Sequence, residues 1–112
     1  MREDGKIDYV EFPAADLPAV KDFYSAAFGW RFVDYGPGYA AFEEAAVDGG
    51  FNGEPEEPRP LVILYAHDLE AMEARVKAAG GVVVREIQAF PGGRRFHFRD
   101  PAGNVLGVWS ET

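Results

Sequence analysis

Hydrophobic residues in the first half of the chain are spaced first as in a strand, then as in a helix, then again as in strands. Apolar and polar residues alternate from Ile7 to Phe12, which is typical of a strand. After Asp16, a favourable helix N-cap, the spacing becomes that of an amphipathic helix ending at Gly29. The predicted buried stripe of this helix is Val20, Phe23, Tyr24, Ala27 and Phe28. Further strands are predicted over 30–35, 39–43 and around 49–51.

The second half of the chain repeats this order of patterns. Residues 61–65 are almost wholly apolar and predict a central strand, and Asp68 predicts the start of a second helix. The predicted buried positions of that helix are Leu69, Met72, Val76 and Ala79, and Gly80-Gly81 ends it. A strand follows over 82–87. The chain then forms a hairpin, in which Asp100 and Pro101 favour a type I turn between two alternating segments.

The two halves align at a constant offset of 52 residues across their helices. Asp16-Leu17 falls on Asp68-Leu69, and Val20 and Tyr24 fall on Met72 and Val76. Internal repeats are strong indicators of architecture. The sequence therefore predicts a single α+β domain of two βαβββ modules, with module one over 7–53, a linker over 54–60 and module two over 61–109. We expect a curled mixed sheet around a cavity that could hold a ligand between the modules.

Composition narrows the classes of function. The chain has 112 residues, which suits one domain, and a net charge of −8, which disfavours nucleic-acid binding. It has no cysteine and no apolar run long enough to span a bilayer. Its first residues are charged, unlike a secretory signal. We therefore expect a cytoplasmic protein with neither a nucleic-acid nor a membrane partner.

Three groups of residues resemble the vicinal oxygen chelate superfamily. They are Asp16-Leu17 with Phe23-Tyr24 and Phe28-Gly29-Trp30, then Asp68-Leu69 through Gly80-Gly81, and then Phe98 to Asn104. This superfamily includes glyoxalase I, bleomycin-resistance proteins, fosfomycin-resistance enzymes and extradiol dioxygenases. The resemblance implies the glyoxalase/bleomycin resistance/dioxygenase fold for nearly the whole chain. It leaves the activity open, because the superfamily includes isomerases, transferases, oxygenases and binding proteins.

The resemblance also implies where a metal-dependent member would carry its ligands. Those positions are Tyr9, Leu61, Gly107 and one residue near 49–51. Leucine and glycine side chains cannot coordinate a metal, and a neutral tyrosine is a poor ligand. We therefore expect the usual metal site to be missing, and we expect no cofactor.

Alternation from the aligned positions predicts which side chains face the expected cavity. The candidate ligand-binding residues are Tyr9, Glu11, Tyr39, Ile63, Tyr65, Arg95, His97 and Trp109. Aromatic side chains with a few converging polar groups are typical of a ligand site. Glu11 and His97 are also candidates for general acid–base catalysis.

Each of these candidates has an alternative interpretation. Arg95 and Glu11 could form an ion pair, His97 could be a structural hydrogen-bonded residue, and the aromatic residues could simply fill the interior. His67 is expected to be a solvated loop residue.

Three functions remain open. The first is a metal-independent protein that binds an aromatic or apolar small molecule. The second is a lyase or isomerase related to lactoylglutathione lyase, with a nonstandard site. The third is a bleomycin-type drug-sequestering resistance protein, whose acidic charge would attract a cationic drug. The resemblance further implies a homodimer.

Overall fold

The computed structural model describes residues 2–55 and 58–112, so residues 56 and 57 of the predicted linker lie outside the described residues. The first set of elements is β1 (Ile7–Pro13), α1 (Leu17–Phe28), β2 (Arg31–Asp34), β3 (Tyr39–Glu43) and β4 (Gly49–Asn52). The second set is β5 (Leu61–Tyr65), α2 (Leu69–Ala78), β6 (Val82–Phe90), β7 (Gly93–Arg99) and β8 (Val105–Ser110). Both sets have the predicted order βαβββ. No helix in the described ranges is long and apolar enough to cross a membrane.

The chain divides into two compact units. The first unit is Tyr9–Leu61, and the second unit combines the described residues of Met1–Asp8 with Val62–Thr112. The first two residues of β1 therefore belong to the second unit, together with the segment that precedes them.

In the first unit the strands follow the order β2-β3-β4-β1, with β1 parallel to β4 and the other pairs antiparallel. Asp16 caps α1 by accepting a hydrogen bond from the backbone N–H of Ala19 at 3.1 Å. Gly29 ends the helix in the left-handed conformation, with φ of 76°. The core between helix and sheet is built on Ala14, Leu17, Phe42 and Phe51.

The predicted buried stripe of α1 is wrong at three positions, because Phe23, Ala27 and Phe28 are all exposed. Phe23 and Phe28 are 58% and 63% exposed. The core-facing side of α1 is narrower than predicted, because Leu17, Val20 and Tyr24 provide its contacts. Phe23 and Phe28 instead place their rings against the ring of Tyr24, at centroid distances of 5.0 and 5.9 Å.

The second unit has the same topology, with strand order β6-β7-β8-β5 and β5 parallel to β8. Asp68 caps α2 by accepting a hydrogen bond from the backbone N–H of Ala71 at 3.0 Å. The core is built on Ala66, Leu69, Phe96 and Val108. Strand β6 continues to Phe90, three residues beyond its predicted end, and shifts its register twice against β7. The predicted fold of two βαβββ modules is confirmed.

The turn between β7 and β8 is organised by Asp100. Its Oδ1 accepts the backbone N–H groups of Ala102 at 2.8 Å and Asn104 at 2.9 Å. Its Oδ2 accepts the side-chain amide of Asn104 at 3.0 Å, and its carbonyl oxygen accepts the N–H of Gly103. Gly103 has a φ of 90°, which explains the glycine at this position. The predicted turn chemistry is thus present.

The hydrogen bonds to Asp100 predict a pH dependence of stability. The Asn104 amide and the backbone N–H groups hold the pKa of this carboxyl below its usual value of 3.8. A lowered folded-state pKa gives stability above the unfolded pKa that is lost as the pH falls through the folded pKa. We expect Asp100→Asn to be less stable than the parent chain by a constant amount above about pH 5, and by a shrinking amount below about pH 4. Urea unfolding at several pH values would measure this, and a pH-independent difference would contradict it.

Candidate functional site

In the first unit, polar side chains collect on the sheet face opposite α1. Phe12, Phe42 and Phe51 point to the helix side, where they join or pack against the core. Alternation places the neighbouring residues on the other face. The residues that meet there are Tyr9, Glu11, Tyr39, Gly50 and Asn52. Three of them, Tyr9, Glu11 and Tyr39, were predicted to share a face.

These side chains form a chain of hydrogen bonds that ends at a buried carboxylate. Tyr39 donates its hydroxyl to Oε2 of Glu11 at 2.9 Å, and the hydroxyls of Tyr9 and Tyr39 are 2.9 Å apart. The Asn52 amide lies 3.5 Å from Oε1 of Glu11, which is 6% exposed. Burial raises the pKa of both tyrosines, and the negative charge of Glu11 raises that of Tyr39 further. Tyr39 is therefore a neutral donor that holds Glu11 in one orientation.

Gly50 makes room for the two tyrosines. A Cβ at this position would lie 2.7 Å from Cε1 of Tyr39 and 2.8 Å from both hydroxyl oxygens. The sequence predicted a short strand here but gave no role to Gly50 or Asn52. Both residues flank Phe51, whose side chain faces the core, so strand alternation could have placed them on the opposite face with the tyrosines.

Removing the Tyr39 hydroxyl tests this arrangement. We expect Tyr39→Phe to lower the free energy of unfolding by about 1–3 kcal/mol, because a buried carboxylate loses its donor. Tyr35 is 66% exposed and provides a matched control, since Tyr35→Phe should change stability by less than about 0.5 kcal/mol. Urea unfolding of the two variants would compare them. Equal losses in the free energy of unfolding would show that the hydrogen bond from Tyr39 to Glu11 contributes no more to stability than an exposed hydroxyl does.

In the second unit, three aromatic rings meet on the sheet face opposite α2. We call Tyr65, Phe90 and Trp109 the aromatic patch. The Tyr65 and Trp109 rings make an edge contact at 5.5 Å between centroids, and Phe90 lies 6.3 Å from Trp109. Arg95, the strand partner of Trp109, places its Cζ 5.8 Å from the Phe90 ring centroid. Tyr65, Arg95 and Trp109 were predicted site residues, whereas Phe90 was not, because β6 was predicted to end before it.

Hydrogen bonds fix the polar ends of two patch residues. Trp109 donates its indole N–H to Oδ2 of Asp8 at 2.9 Å, and Tyr65 donates its hydroxyl to Oε1 of Glu111 at 2.9 Å. Asp8 precedes Tyr9 on β1, so strand alternation assigns it to the face opposite Tyr9 and Glu11, and it was not among the predicted site residues. The contact with Trp109 arises because backbone hydrogen bonds join Tyr65 to Gly5 and Lys6, which brings the N-terminal segment beside the patch. Alternation alone does not encode that neighbour.

Three predicted site residues of the second unit are deeply buried: Tyr65 is 3%, Ile63 2% and His97 4% exposed. Ile63 and His97 both have Gly107 as their strand partner. His67 is exposed, as expected of a loop residue. Its Nδ1 lies 2.8 Å from Oδ1 of Asp4, and the same oxygen accepts its backbone N–H at 2.7 Å. These hydrogen bonds from His67 lower the pKa of the Asp4 carboxyl.

The side chains at the positions expected for metal ligands do not fit a divalent ion. The Tyr9 hydroxyl is engaged with Tyr39, and Leu61 and Gly107 have no donor side chain. Residues 49–51 are glycine, glycine and phenylalanine. Over residues 2–55 and 58–112, no three His, Asp or Glu side chains group closely enough to hold a metal ion. Among the described residues, these positions therefore do not provide the three or four donors that such ions require.

Comparison with known proteins identifies the family. Residues 6–108 match the model of the Glyoxalase/Bleomycin resistance protein/Dioxygenase superfamily. The chain is 27% identical to CFP32 of Mycobacterium bovis, whose name proposes a glyoxylase, over 94% of this chain and 45% of CFP32. It is also 27% identical to the anthracycline biosynthesis protein DnrV of Streptomyces peucetius, over 90% of this chain and 45% of DnrV.

Among solved structures, the Mn(II)-bound glyoxalase from Novosphingobium aromaticivorans superposes with a TM-score of 0.69 at 28% identity. The match covers 99% of this chain and 40% of that one. The chain therefore spans less than half the length of these three relatives. The family match and the βαβββ repeat lead to the same conclusion: the chain belongs to the glyoxalase/bleomycin resistance protein/dioxygenase superfamily.

Proposed function

We propose that this chain is a glyoxalase-like small-molecule-binding protein that binds a planar aromatic or apolar ligand at the aromatic patch, without a metal ion. The observation that carries the proposal is the grouping of Tyr65, Phe90 and Trp109, with charged side chains at its border. Aromatic rings provide large apolar contact areas, and a few polar groups beside them set the orientation of a ligand.

Fixed geometry supports a binding role for the patch. The indole N–H of Trp109 and the hydroxyl of Tyr65 are already satisfied by Asp8 and Glu111. Neither polar end is therefore left as an unsatisfied donor beside an apolar ligand. The partly exposed rings of Trp109 and Phe90 are the surface for stacking, whereas Tyr65, 3% exposed, is buried and supports Trp109 from the side. A site held in one conformation before binding loses less conformational entropy when the ligand arrives.

A ligand panel tests the proposal. We expect naphthalene-2-carboxamide, naphthalene-2-carboxylate or a related planar aromatic compound to stabilise the parent chain in a thermal-shift assay. A ligand at about 100 times its dissociation constant adds about 2.7 kcal/mol to the stability. Trp109→Leu should abolish the shift. Phe23→Leu, which shortens an exposed aromatic side chain on α1, should leave the shift unchanged.

Two outcomes of the panel would contradict the proposal. One is the absence of any shift with planar aromatic compounds, and the other is an undiminished shift in Trp109→Leu. The same panel should include a bleomycin-type drug. A shift with that drug alone would favour the sequestering alternative.

The metal-free part of the proposal has its own measurement. We expect EDTA-treated protein to keep its melting temperature and its ligand response, and added Mn(II) to change neither. Elemental analysis that finds one divalent ion per chain in untreated protein would contradict this. The lack of a matching donor set at Tyr9, Leu61 and Gly107 supports the expectation.

One observation favours a second candidate function, an isomerase or lyase activity. Glu11 is buried and oriented by Tyr39, as a general base would be. An assay with the hemithioacetal of methylglyoxal and glutathione, the glyoxalase I substrate, would test it with and without Mn(II). Turnover that Glu11→Gln abolishes would establish the enzyme and replace the binding proposal. Its absence would leave Glu11 as a structural group.

A further inference from the structure

The aromatic patch has a cation on it that the chain itself supplies. Arg2 places its Cζ 5.1 Å from the centroid of the Trp109 ring. Its Nε donates to Oδ2 of Asp8 at 3.2 Å, and the same oxygen accepts the Trp109 indole N–H at 2.9 Å. We call Trp109 and Asp8 together the indole–carboxylate pair. Arg2 thus contacts both members of the pair at once.

The indole–carboxylate pair has the two features that recognise an organic cation. The face of an indole attracts a cation through its quadrupole. A carboxylate beside it accepts the N–H groups that guanidinium, amidinium and protonated amines carry. Since the Trp109 N–H holds the carboxylate against the indole, both features stay in place when Arg2 is absent.

The charges around the pair are mixed but favour a cation on this side. Glu111 brings a second carboxylate to the hydroxyl of Tyr65. Arg95, the strand partner of Trp109, is the opposing cation, and its guanidinium lies over the Phe90 ring. The whole chain carries a net charge of −8, which raises the local concentration of cationic ligands.

The Arg2 side chain can leave the pair without breaking the backbone hydrogen bonds that join the neighbouring residues to the sheet. The backbone anchors are Gly5, whose N–H donates to Tyr65 at 2.8 Å, and Lys6, whose carbonyl accepts from Tyr65 at 3.1 Å. Both anchors follow Arg2 in the chain. The Arg2 side chain is 43% exposed, and an ion pair with that exposure is weak and exchanges readily.

We propose that the indole–carboxylate pair is a subsite for a guanidinium, amidinium or protonated amine group of the ligand, and that Arg2 occupies it as an internal competitor. This proposal rests on the proposed function, because the subsite would orient a ligand whose planar part lies on the aromatic patch. A ligand of this class displaces Arg2 and takes over both of its contacts. The net charge at the subsite stays the same, because one cation replaces another beside Asp8.

An internal competitor lowers the apparent affinity by the fraction of molecules in which the subsite is open. Exposed cation–π contacts and exposed ion pairs are each weak, so the closed form outweighs the open form only modestly. Removing the charge of Arg2 should therefore tighten binding of a cationic probe by about three- to tenfold.

The experiment compares benzamidine with benzamide, which share a ring and a shape but differ in charge. Calorimetric titration of the full chain gives the dissociation constant of each probe for the parent, Arg2→Gln and Arg31→Gln. Arg31 is an exposed arginine paired with Glu44 in the first unit, and it provides the matched control. We expect benzamidine to bind Arg2→Gln about three- to tenfold more tightly than the parent. We expect benzamide to change by less than about twofold, and Arg31→Gln to match the parent.

A second variant tests the carboxylate. Asp8→Asn should lose most of the preference for benzamidine over benzamide while melting cooperatively. Equal gains for both probes in Arg2→Gln would overturn the proposal, because Arg2 would then act only as a steric cover. Unchanged benzamidine binding in Arg2→Gln would overturn it too. If the cation subsite fails these tests but naphthalene-2-carboxamide still binds through Trp109, the proposed function stands. If no aromatic probe binds, both the subsite and the proposed function are wrong.

Discussion

Replacing Gly49 by alanine is expected to lower the free energy of unfolding by about 3 kcal/mol or more, a large share of a typical domain's stability. A Cβ at this position would lie 2.2 Å from the carbonyl oxygen of Val10 and 2.2 Å from Cζ of Phe42. The Val10 oxygen is backbone within the parallel pair β1–β4, so relief requires the strands to separate. Phe42 is part of the core and cannot move without opening a cavity.

Gly38 provides the matched control for this substitution. A Cβ there would meet no atom within 4 Å, so Gly38→Ala should change stability by less than about 1 kcal/mol. Urea unfolding followed by circular dichroism would compare the variants. Similar stabilities for Gly49→Ala and Gly38→Ala would contradict the close packing of β4 against β1 and β3.

The second large effect is expected at Phe96. Its side chain is completely buried in the core of the second unit, and truncation to alanine should cost about 3–5 kcal/mol. The same substitution at Phe23, which is 58% exposed, should cost less than about 1 kcal/mol. The pair therefore tests the corrected boundary of the hydrophobic core with one chemical change. Comparable losses of stability at the two positions would indicate that Phe23 is buried, as the hydrophobic pattern of α1 predicted.

The fold was predictable because its signals are local and occur twice. Asp16 and Asp68 cap the two helices as their side-chain chemistry predicts. The order of elements follows from the changes in hydrophobic period, and strands 39–43 and 61–65 match the observed bounds. The end of β6 was missed because its two register shifts interrupt the alternation that would have marked residues 88–90.

The predicted site residues were less completely determined by the sequence. Alternation correctly joined Tyr9, Glu11 and Tyr39, since they lie on one face of β1 and β3, the two strands that flank β4. It did not reveal Arg2 or Asp8, because their contacts with Trp109 depend on the path of the N-terminal segment rather than on a strand period. The sequence also does not show that the two tyrosine side chains pack against the backbone of Gly50, which only the three-dimensional structure reveals.

Some predictions remain to be tested by experiment. The homodimer implied by the family resemblance is one, and the acid–base roles of Glu11 and His97 are others. The alternative of an ion pair between Arg95 and Glu11 also remains.

The most direct test of ligand binding at the aromatic patch uses the two tryptophans as separate reporters. Trp30→Phe leaves Trp109 as the only indole, and Trp109→Phe leaves Trp30, which packs in the first unit. Both proteins would be titrated with the planar aromatic compound that gives the largest thermal shift. We expect a saturable change in the Trp109 emission and none in the Trp30 emission. A change in Trp30 emission alone, or saturable binding that leaves the Trp109 emission unaltered, would contradict ligand binding at the aromatic patch.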